Sequence, residues 1–270
     1  NYVLQKYLLF FYLNLLFSKY FNLINKCYNQ KIMKNIAIII PTYNELENIE
    51  QLVNEIHINL PGISIFIIDD SKTKEIGDLI ISKNLKAKYF YRTNESGRGS
   101  AVIFGLNKAI EENNYEIFIE MDADFSHNPN ELKRNINYFS NNKLDLLIAS
   151  RYLKNSKIIN WGLSRRILSK LSNFLAKNLL RIPLHDFTNG FRIYSKRSAK
   201  KIVEKCGNIG DGFIMLSEII VVLKNNFYEI GEIDTIFVNR ERGKSSVNIK
   251  LVFASLYGLF KLAFIKSKLK

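Results

Sequence analysis

The sequence predicts an α/β domain built on one mostly parallel sheet flanked by helices, and three observations predict it. From Met33 onward, short apolar runs alternate with amphipathic stretches of helical period, the pattern of parallel strands joined by crossover helices. Two of those runs end in paired acids, Asp69-Asp70 and Asp122-x-Asp124, and in an open α/β sheet ligands gather beyond the carboxyl ends of the strands. With 270 residues, 47% of them hydrophobic, the chain can bury the core that such a sheet needs. No internal repeat or low-complexity linker divides it, so one continuous sheet is expected.

Ile36 to Ile40 reads as the first strand, ended by Pro41. Asn44 with Glu47 three residues on has the form of a capping box, and Ile49, Leu52, Val53 and Ile56 give the helical face behind it. Ile65 to Ile68 is the second strand, followed by a weak helix at 75–83 and a short strand from Tyr89 to Tyr91. Gly97-Arg98-Gly99 opens a helix carrying Ala101, Val102, Leu106, Ala109 and Ile110. Ile117 to Met121 is the strand that leads into the Asp122-x-Asp124 pair. Asn128-Pro129-x-Glu131 then offers an N-cap, a proline at the first helical position and an acid at the third. Leu144 to Ala149 is the next strand.

Beyond it, Arg165 to Leu180 predicts a helix with Ile167, Leu168, Leu171, Phe174, Leu175 and Leu179 on its apolar side. Residues 186–192 make a turn into a strand, helices are expected at 195–205 and 213–225, and one strand is expected from Tyr228 to Val238. Residues 240–246 form a basic loop. Three units result: an apolar N-terminal extension at 1–32, either an interfacial helix or a stretch foreign to the native protein; a main domain at 33–246; and an apolar, basic helix at 247–270. The apolar run at 251–265 reaches about 22 Å as a helix, short of the roughly 30 Å hydrocarbon layer. Lys250, Lys261, Lys266, Lys268 and Lys270 surround it, which fits a helix lying in a membrane plane or one packed on the core.

A formal charge of +14 implies anionic partners. The lysines are scattered, and no basic stripe with aromatic stacking positions or known module points to nucleic acid. Cys27 and Cys206 stand far apart, and His57, His127 and His185 lack metal-ligand spacing, so neither a zinc site nor a disulfide framework is indicated. Asp122 and Asp124, two apart in extended chain, project to one face. Carboxylates so placed repel unless a cation joins them, and Mg²⁺ or Mn²⁺ completes such a shell with substrate phosphates; a solvated acidic loop is the alternative. The turn Pro41-Thr42-Tyr43-Asn44-Glu45 lacks Gly-x-Gly-x-x-Gly, which argues against a nicotinamide dinucleotide. Tyr43 is a candidate surface for stacking a base. A glycosidase would set two carboxyl groups across a sugar, which this pair does not suggest.

Six segments occur in order: Ile40-Pro41-Thr42-Tyr43-Asn44-Glu45, Ile68-Asp69-Asp70-Ser71, Gly97-Arg98-Gly99-Ser100-Ala101, Met121-Asp122-Ala123-Asp124-Phe125-Ser126-His127, Ser150-Arg151-Tyr152 and Thr188-Asn189-Gly190-Phe191-Arg192. Together they resemble the family 2 glycosyltransferases, and within them the dolichol-phosphate (polyprenol-phosphate) mannose synthases. The resemblance implies a GT-A type nucleotide-sugar-binding fold and inverting, metal-dependent transfer of a sugar, mannose from GDP-mannose being favoured, to a polyprenol or dolichol phosphate. It further implies work at a membrane surface, on the cytoplasmic face. By that resemblance Pro41, Tyr43, Glu45, Ile68 and Asp70 contact the nucleotide, Asp122, Ala123 and Asp124 hold the diphosphate, and Asp122, Asp124 and Ser126 hold Mg²⁺ or Mn²⁺. Arg151, Arg165 and Ser169 meet the acceptor phosphate, and Asp124, Arg151 and Arg240 carry the catalytic roles.

The chain departs from the family pattern after Asp70, where Ser71-Lys72-Thr73 is short, and at Ser246, where a lysine is usual. The spacing from Phe213 to Glu218 also differs. The residues leave open a related transferase using UDP-glucose or another donor or acceptor, and a non-catalytic nucleotide-sugar binder or membrane scaffold.

Overall fold

The computed structural model describes residues 35–93, 96–112, 114–210, 212–239 and 249–269. The N-terminal extension expected at 1–32 and the basic loop with Arg240, Lys244 and Ser246 lie outside the described residues.

The first half alternates strand and helix as expected: β1 (Ile36–Thr42), α1 (Leu46–Asn59), β2 (Ser64–Asp69), α2 (Glu75–Ser82), β3 (Lys88–Tyr91), α3 (Arg98–Glu111), β4 (Ile117–Glu120) and α4 (Leu132–Asn141). The second half contains β5 (Leu146–Ser150), β6 (Lys157–Ile159), α5 (Leu163–Leu180), β7 (Arg192–Ser195), α6 (Lys196–Lys205), α7 (Phe213–Asn225), β8 (Ile230–Asp234), β9 (Ile236–Val238) and α8 (Ile249–Ile265). Seven strands form the main sheet in the order β3-β2-β1-β4-β7-β5-β8.

Both faces of the sheet are covered, which is why its strands read as unbroken apolar runs. Ile36, Ile38 and Ile40 of β1 pack with Ile49, Leu52 and Val53 of α1, Ile80 of α2 and Leu132 and Ile136 of α4. Ala37 and Ile39 turn to the opposite layer, with Val102 and Leu106 of α3, Ala176 of α5, Ile202 of α6 and Ile219 of α7. Pro41 does not end β1, which runs on to Thr42. Pairing between β1 and β4 stops at Ile39 and Glu120, so the N–H that Pro41 lacks would have faced a finished ladder.

Three expectations need correction. The sheet is not all one piece: β6 and β9 pair as a separate two-stranded parallel sheet. The strand expected from Tyr228 to Val238 breaks at Thr235, because the buried Glu131 carboxylate takes the Thr235 hydroxyl at 2.6 Å and the Ile236 N–H at 2.9 Å. The main sheet is mostly parallel, as expected, with β7 running antiparallel between β4 and β5. Finally, the capping box does not form. Asn44 adopts φ of 57° and gives its N–H to Ser71 Oγ at 2.8 Å, so the N-cap falls on Glu45 and no side chain caps α1. The start at Asn128-Pro129 behaves as read, with Asn128 Oδ1 accepting the Asn130 N–H at 2.9 Å.

The helix at 163–180 divides its expected apolar side: Leu175 and Leu179 pack against the core, while Ile167, Leu168, Leu171 and Phe174 face outward. Ile167, Leu171 and Phe174 are 58%, 50% and 63% exposed, while Asn173, Ala176 and Leu180 are the buried positions. α8 packs against α5 and α7 and exposes Tyr257, Phe260 and Phe264. Among the described residues no helix is long and apolar enough to cross a membrane.

Candidate active site

The carboxyl ends of β1, β2 and β4 meet the start of α3 around a cleft of about 380 Å³. Pro41, Tyr43, Glu45, Asp70, Asp122, Ala123 and Asp124, all expected at the nucleotide, line it together. Ile68 does not, being fully buried on the α3 side of the sheet, where its side chain abuts Gly105. Tyr43 is half exposed, as a ring awaiting a stacking partner would be.

The two acids after β2 divide their work. Asp69 is fully buried and accepts from the hydroxyls of Thr42, Ser71 and Tyr89, so it fastens the strand end. Asp70 accepts a two-point bond from Arg92, at 2.7 and 2.6 Å, and the Gly97 N–H at 2.9 Å. It therefore ties the approach to α3 against the cleft. Gly97 has φ of 143°, a conformation that a side chain would strain.

Arg98 follows; the sequence places it only at the opening of a helix, and its carboxylate partners are brought to it by the fold. Its Nε and Nη2 donate to Asp122 Oδ1 at 2.9 and 2.7 Å, and its Nη1 to Glu120 Oε1 at 2.6 Å. Tyr194 closes the network by donating to Glu120 Oε2 at 2.5 Å. Burial by itself would lower the Arg98 pKa, but Asp122 and Glu120 outweigh it and hold the guanidinium charged. Gly190 is glycine for the same reason: a Cβ there would sit 1.9 Å from Arg98 Nη2.

The Asp122 backbone is set by His127, whose Nδ1 accepts the Asp122 N–H at 2.9 Å while its Nε2 meets Asn189 Oδ1 at 3.0 Å. Those partners put the proton on Nε2. Stacked on Phe191 at 5.1 Å, the ring supports the loop and is not placed for proton transfer. Asp124 Oδ1 accepts the Ser126 N–H at 3.1 Å across Phe125, which has φ of 61°. Ser126 Oγ is buried with no hydrogen-bond partner among the described residues, an orphaned oxygen beside a carboxylate.

Asp122, Asp124 and Ser126 thus present hard oxygen ligands and fit Mg²⁺ or Mn²⁺. Among the described residues no three His, Cys, Asp or Glu side chains gather to hold a metal unaided. The fit is to an ion that takes the rest of its shell from a diphosphate.

The residues expected at the acceptor gather nearby. Arg151 is buried and forms a two-point ion pair with fully buried Asp186, at 2.7 and 2.8 Å, while its Nη2 also reaches Thr188 Oγ1 at 2.7 Å. Burial alone would raise the Asp186 pKa, but Arg151 outweighs it and holds the carboxyl below its usual range. Asp122 is among the charges that raise the Arg151 pKa, so the two clusters are electrostatically in touch. Arg165 donates to Asn239 Oδ1 at 2.9 Å, and Ser169 accepts the Tyr152 hydroxyl at 2.6 Å. Ser126 O accepts from Val238 N at 3.4 Å, which joins the Asp122-x-Asp124 loop to β9 and, through Asn239, to the chain leading into Arg240. The Arg151–Asp186 pairing gave no signal in the sequence beyond an acid ahead of Thr188-Asn189-Gly190.

Residues 37–203 match the glycosyl transferase family 2 profile. The chain belongs to that family, and it is a glycosyltransferase. It is 31% identical to a polyprenol monophosphomannose synthase of Mycolicibacterium smegmatis, over 78% of this chain and 80% of that protein. A dolichol-phosphate mannosyltransferase of Pyrococcus furiosus is 32% identical over 84% of this chain, which spans 63% of that protein's length. An undecaprenyl-phosphate mannosyltransferase of Micrococcus luteus is 29% identical, over 79% of this chain and 87% of that protein. Among solved structures, glucosyl-3-phosphoglycerate synthase from Mycobacterium tuberculosis, in complex with Mn²⁺, UDP and glucosyl-3-phosphoglycerate, superimposes with a TM-score of 0.63 at 13% identity, covering 89% of this chain and 82% of that one. The family 2 glycosyltransferase fold here is of the GT-A type.

Proposed function

We propose that this glycosyltransferase moves mannose from GDP-mannose to a polyprenol or dolichol phosphate, with inversion, at the cytoplasmic face of a membrane, using residues 33–246 as the catalytic unit. The observation that carries the reading is one continuous arrangement: the cleft lined by Tyr43, Asp70, Asp122 and Asp124 is tied through the Asp122 N–H, His127, Asn189 and Asp186 to Arg151, which shares the Trp161 ring with Arg165. The polyprenol-phosphate mannosyltransferases among its relatives support the donor and acceptor classes.

A phosphate monoester has its second pKa near about 6, so the acceptor arrives ionised and nucleophilic without a general base. Its oxygen forms the new bond to the anomeric carbon as the bond to the nucleoside diphosphate breaks, which inverts that carbon. Tyr43 stacks the base, while Pro41, Glu45 and Asp70 frame the nucleoside. Asp122, Ala123 and Asp124 line the diphosphate, and Asp122, Asp124 and Ser126 would hold Mg²⁺ or Mn²⁺. When bound, that ion neutralises charge on the departing diphosphate. Arg151, oriented by Asp186, stands with Arg165 and Ser169 toward the acceptor phosphate, and the family resemblance gives Arg240, outside the described residues, a catalytic role at the departing nucleotide.

The outward apolar side of α5 and the exposed aromatics of α8 form the membrane contact. Ile167, Leu171 and Phe174 on the one helix and Tyr257, Phe260 and Phe264 on the other are flanked by Lys170, Lys177, Lys261, Lys266 and Lys268. A charged, aromatic face of this kind suits anionic lipid headgroups.

The test is calorimetry of GDP- and UDP-sugars with Mg²⁺ or Mn²⁺, joined to transfer assays on an isoprenyl phosphate. GDP-mannose should bind metal-dependently, and Asp124→Ala should abolish transfer while the circular dichroism and Tm stay those of the wild type. Full metal-dependent activity in that variant would refute the role of Asp124, and preference for a UDP-sugar would refute the donor.

A further inference from the structure

Trp161 lies between β6 and α5 and is 8% exposed. Its ring is where two cations converge. The Arg165 guanidinium carbon is 4.2 Å from the ring centroid and that of Arg151 is 5.4 Å away, while Phe237 meets the indole edge-on at 5.2 Å. Each guanidinium is attracted to the ring, yet the two repel each other. Asp186 offsets Arg151, and Arg165 donates to Asn239 Oδ1 at 2.9 Å.

The indole has one polar atom, Nε1, which can only donate. It is buried and has no hydrogen-bond partner among the described residues. Buried donors are nearly always paired, so an orphan between two arginines marks the place of an absent acceptor atom. A packing tryptophan would explain the burial and the ring contacts, but not the unmet N–H. The groups on its ring are the guanidiniums of Arg165 and Arg151, which only donate, and they call for an anion with several acceptor oxygens.

We propose that Trp161 is a binding residue for the acceptor phosphate. Its N–H donates to a phosphate oxygen, and its ring holds the Arg165 and Arg151 guanidiniums on either flank of that group. This rests on the reading that the acceptor is a lipid phosphate, and it adds the residue that orders the phosphate's cationic neighbours.

Trp161 is the single tryptophan in the chain, so its fluorescence reports the site directly. Geranyl phosphate added to the wild-type protein should change the emission saturably, and geraniol, which lacks the phosphate, should not. Trp161→Phe keeps a ring for the arginines and removes only the N–H. Its KM for geranyl phosphate should rise about tenfold or more, the loss expected for one hydrogen bond to a charged group, with kcat, donor KM and Tm nearly unchanged.

Calorimetry separates the two ways of failing. A wild-type protein that binds no geranyl phosphate overturns the acceptor class and this role with it. A wild-type protein that binds it with unchanged emission, or a Trp161→Phe variant of equal acceptor KM, overturns the role of Trp161 alone.

Discussion

Replacing Asp186 with Asn probes how this site is held. Asp186 is fully buried and accepts from Arg151 Nε, Nη2 and N, and from the N–H groups of Thr188 and Asn189, at 2.7 to 3.1 Å. The amide has the same shape, but it removes the negative charge and turns one acceptor into a donor facing donors. Arg151, 7% exposed, is then a buried cation without its counterion. Breaking one side of such a pair costs about 3–5 kcal/mol. For a chain of this size that lowers Tm by about 6–20 °C.

Thermal and urea unfolding measure the loss. The sign of its pH dependence is fixed: Asp186 is held below the ordinary 3.8, so the stabilisation is fully present above that value and lost as pH falls through the lower folded pKa. The deficit of Asp186→Asn should therefore be constant from pH 5 to 7 and shrink below about pH 4. The double variant Arg151→Met, Asp186→Asn should recover part of it, since the buried cation is removed while the amide oxygen still accepts the loop's N–H groups. A deficit under about 1 kcal/mol, or one unchanged at pH 3, would refute the reasoning.

Two further outcomes follow from the geometry. Gly190→Ala should push the Arg98 guanidinium off Asp122 and Glu120, cost about 1–3 kcal/mol and weaken metal-dependent nucleotide binding; nucleotide affinity equal to the wild type, by calorimetry, would show that Arg98 does not shape the cleft. Ile167→Glu with Phe174→Glu should reduce sedimentation with anionic vesicles while transfer to a water-soluble acceptor persists; unchanged sedimentation would remove α5 from the membrane contact.

Much of the cleft was legible because its chemistry is local. The acids Asp70, Asp122 and Asp124 follow apolar runs, and a strand end is where the chain passes from core to solvent. The orphaned Ser126 Oγ fits the metal role that the family resemblance gave it. Expectation and structure part where distant segments decide. Glu131 looked like a helix-start acid, yet it holds Thr235 and Ile236 and so splits the last strand into two sheets. Asn44 looked like an N-cap, and Ser71 draws it into another conformation. Arg98 and Arg151 could be marked as cations, but their carboxylate partners, Glu120 and Asp186, lie 22 and 35 positions away.

The apolar stripe of α5 shows the same limit from the other side. Periodicity finds the stripe at Ile167, Leu171 and Phe174, because it needs only one turn of helix after another. Whether that stripe meets the core or the solvent depends on which face the sheet and α8 take, and they take Asn173, Ala176 and Leu180. By itself, then, the sequence determined the strand and helix succession, the acids at the strand ends and the family, since each is written in neighbouring residues. The tertiary structure alone decided which charges neutralise one another, which apolar face stays open and which polar atoms, Ser126 Oγ and Trp161 Nε1, are left waiting for a partner. Those depend on contacts between segments far apart in the chain, set by how the layers pack.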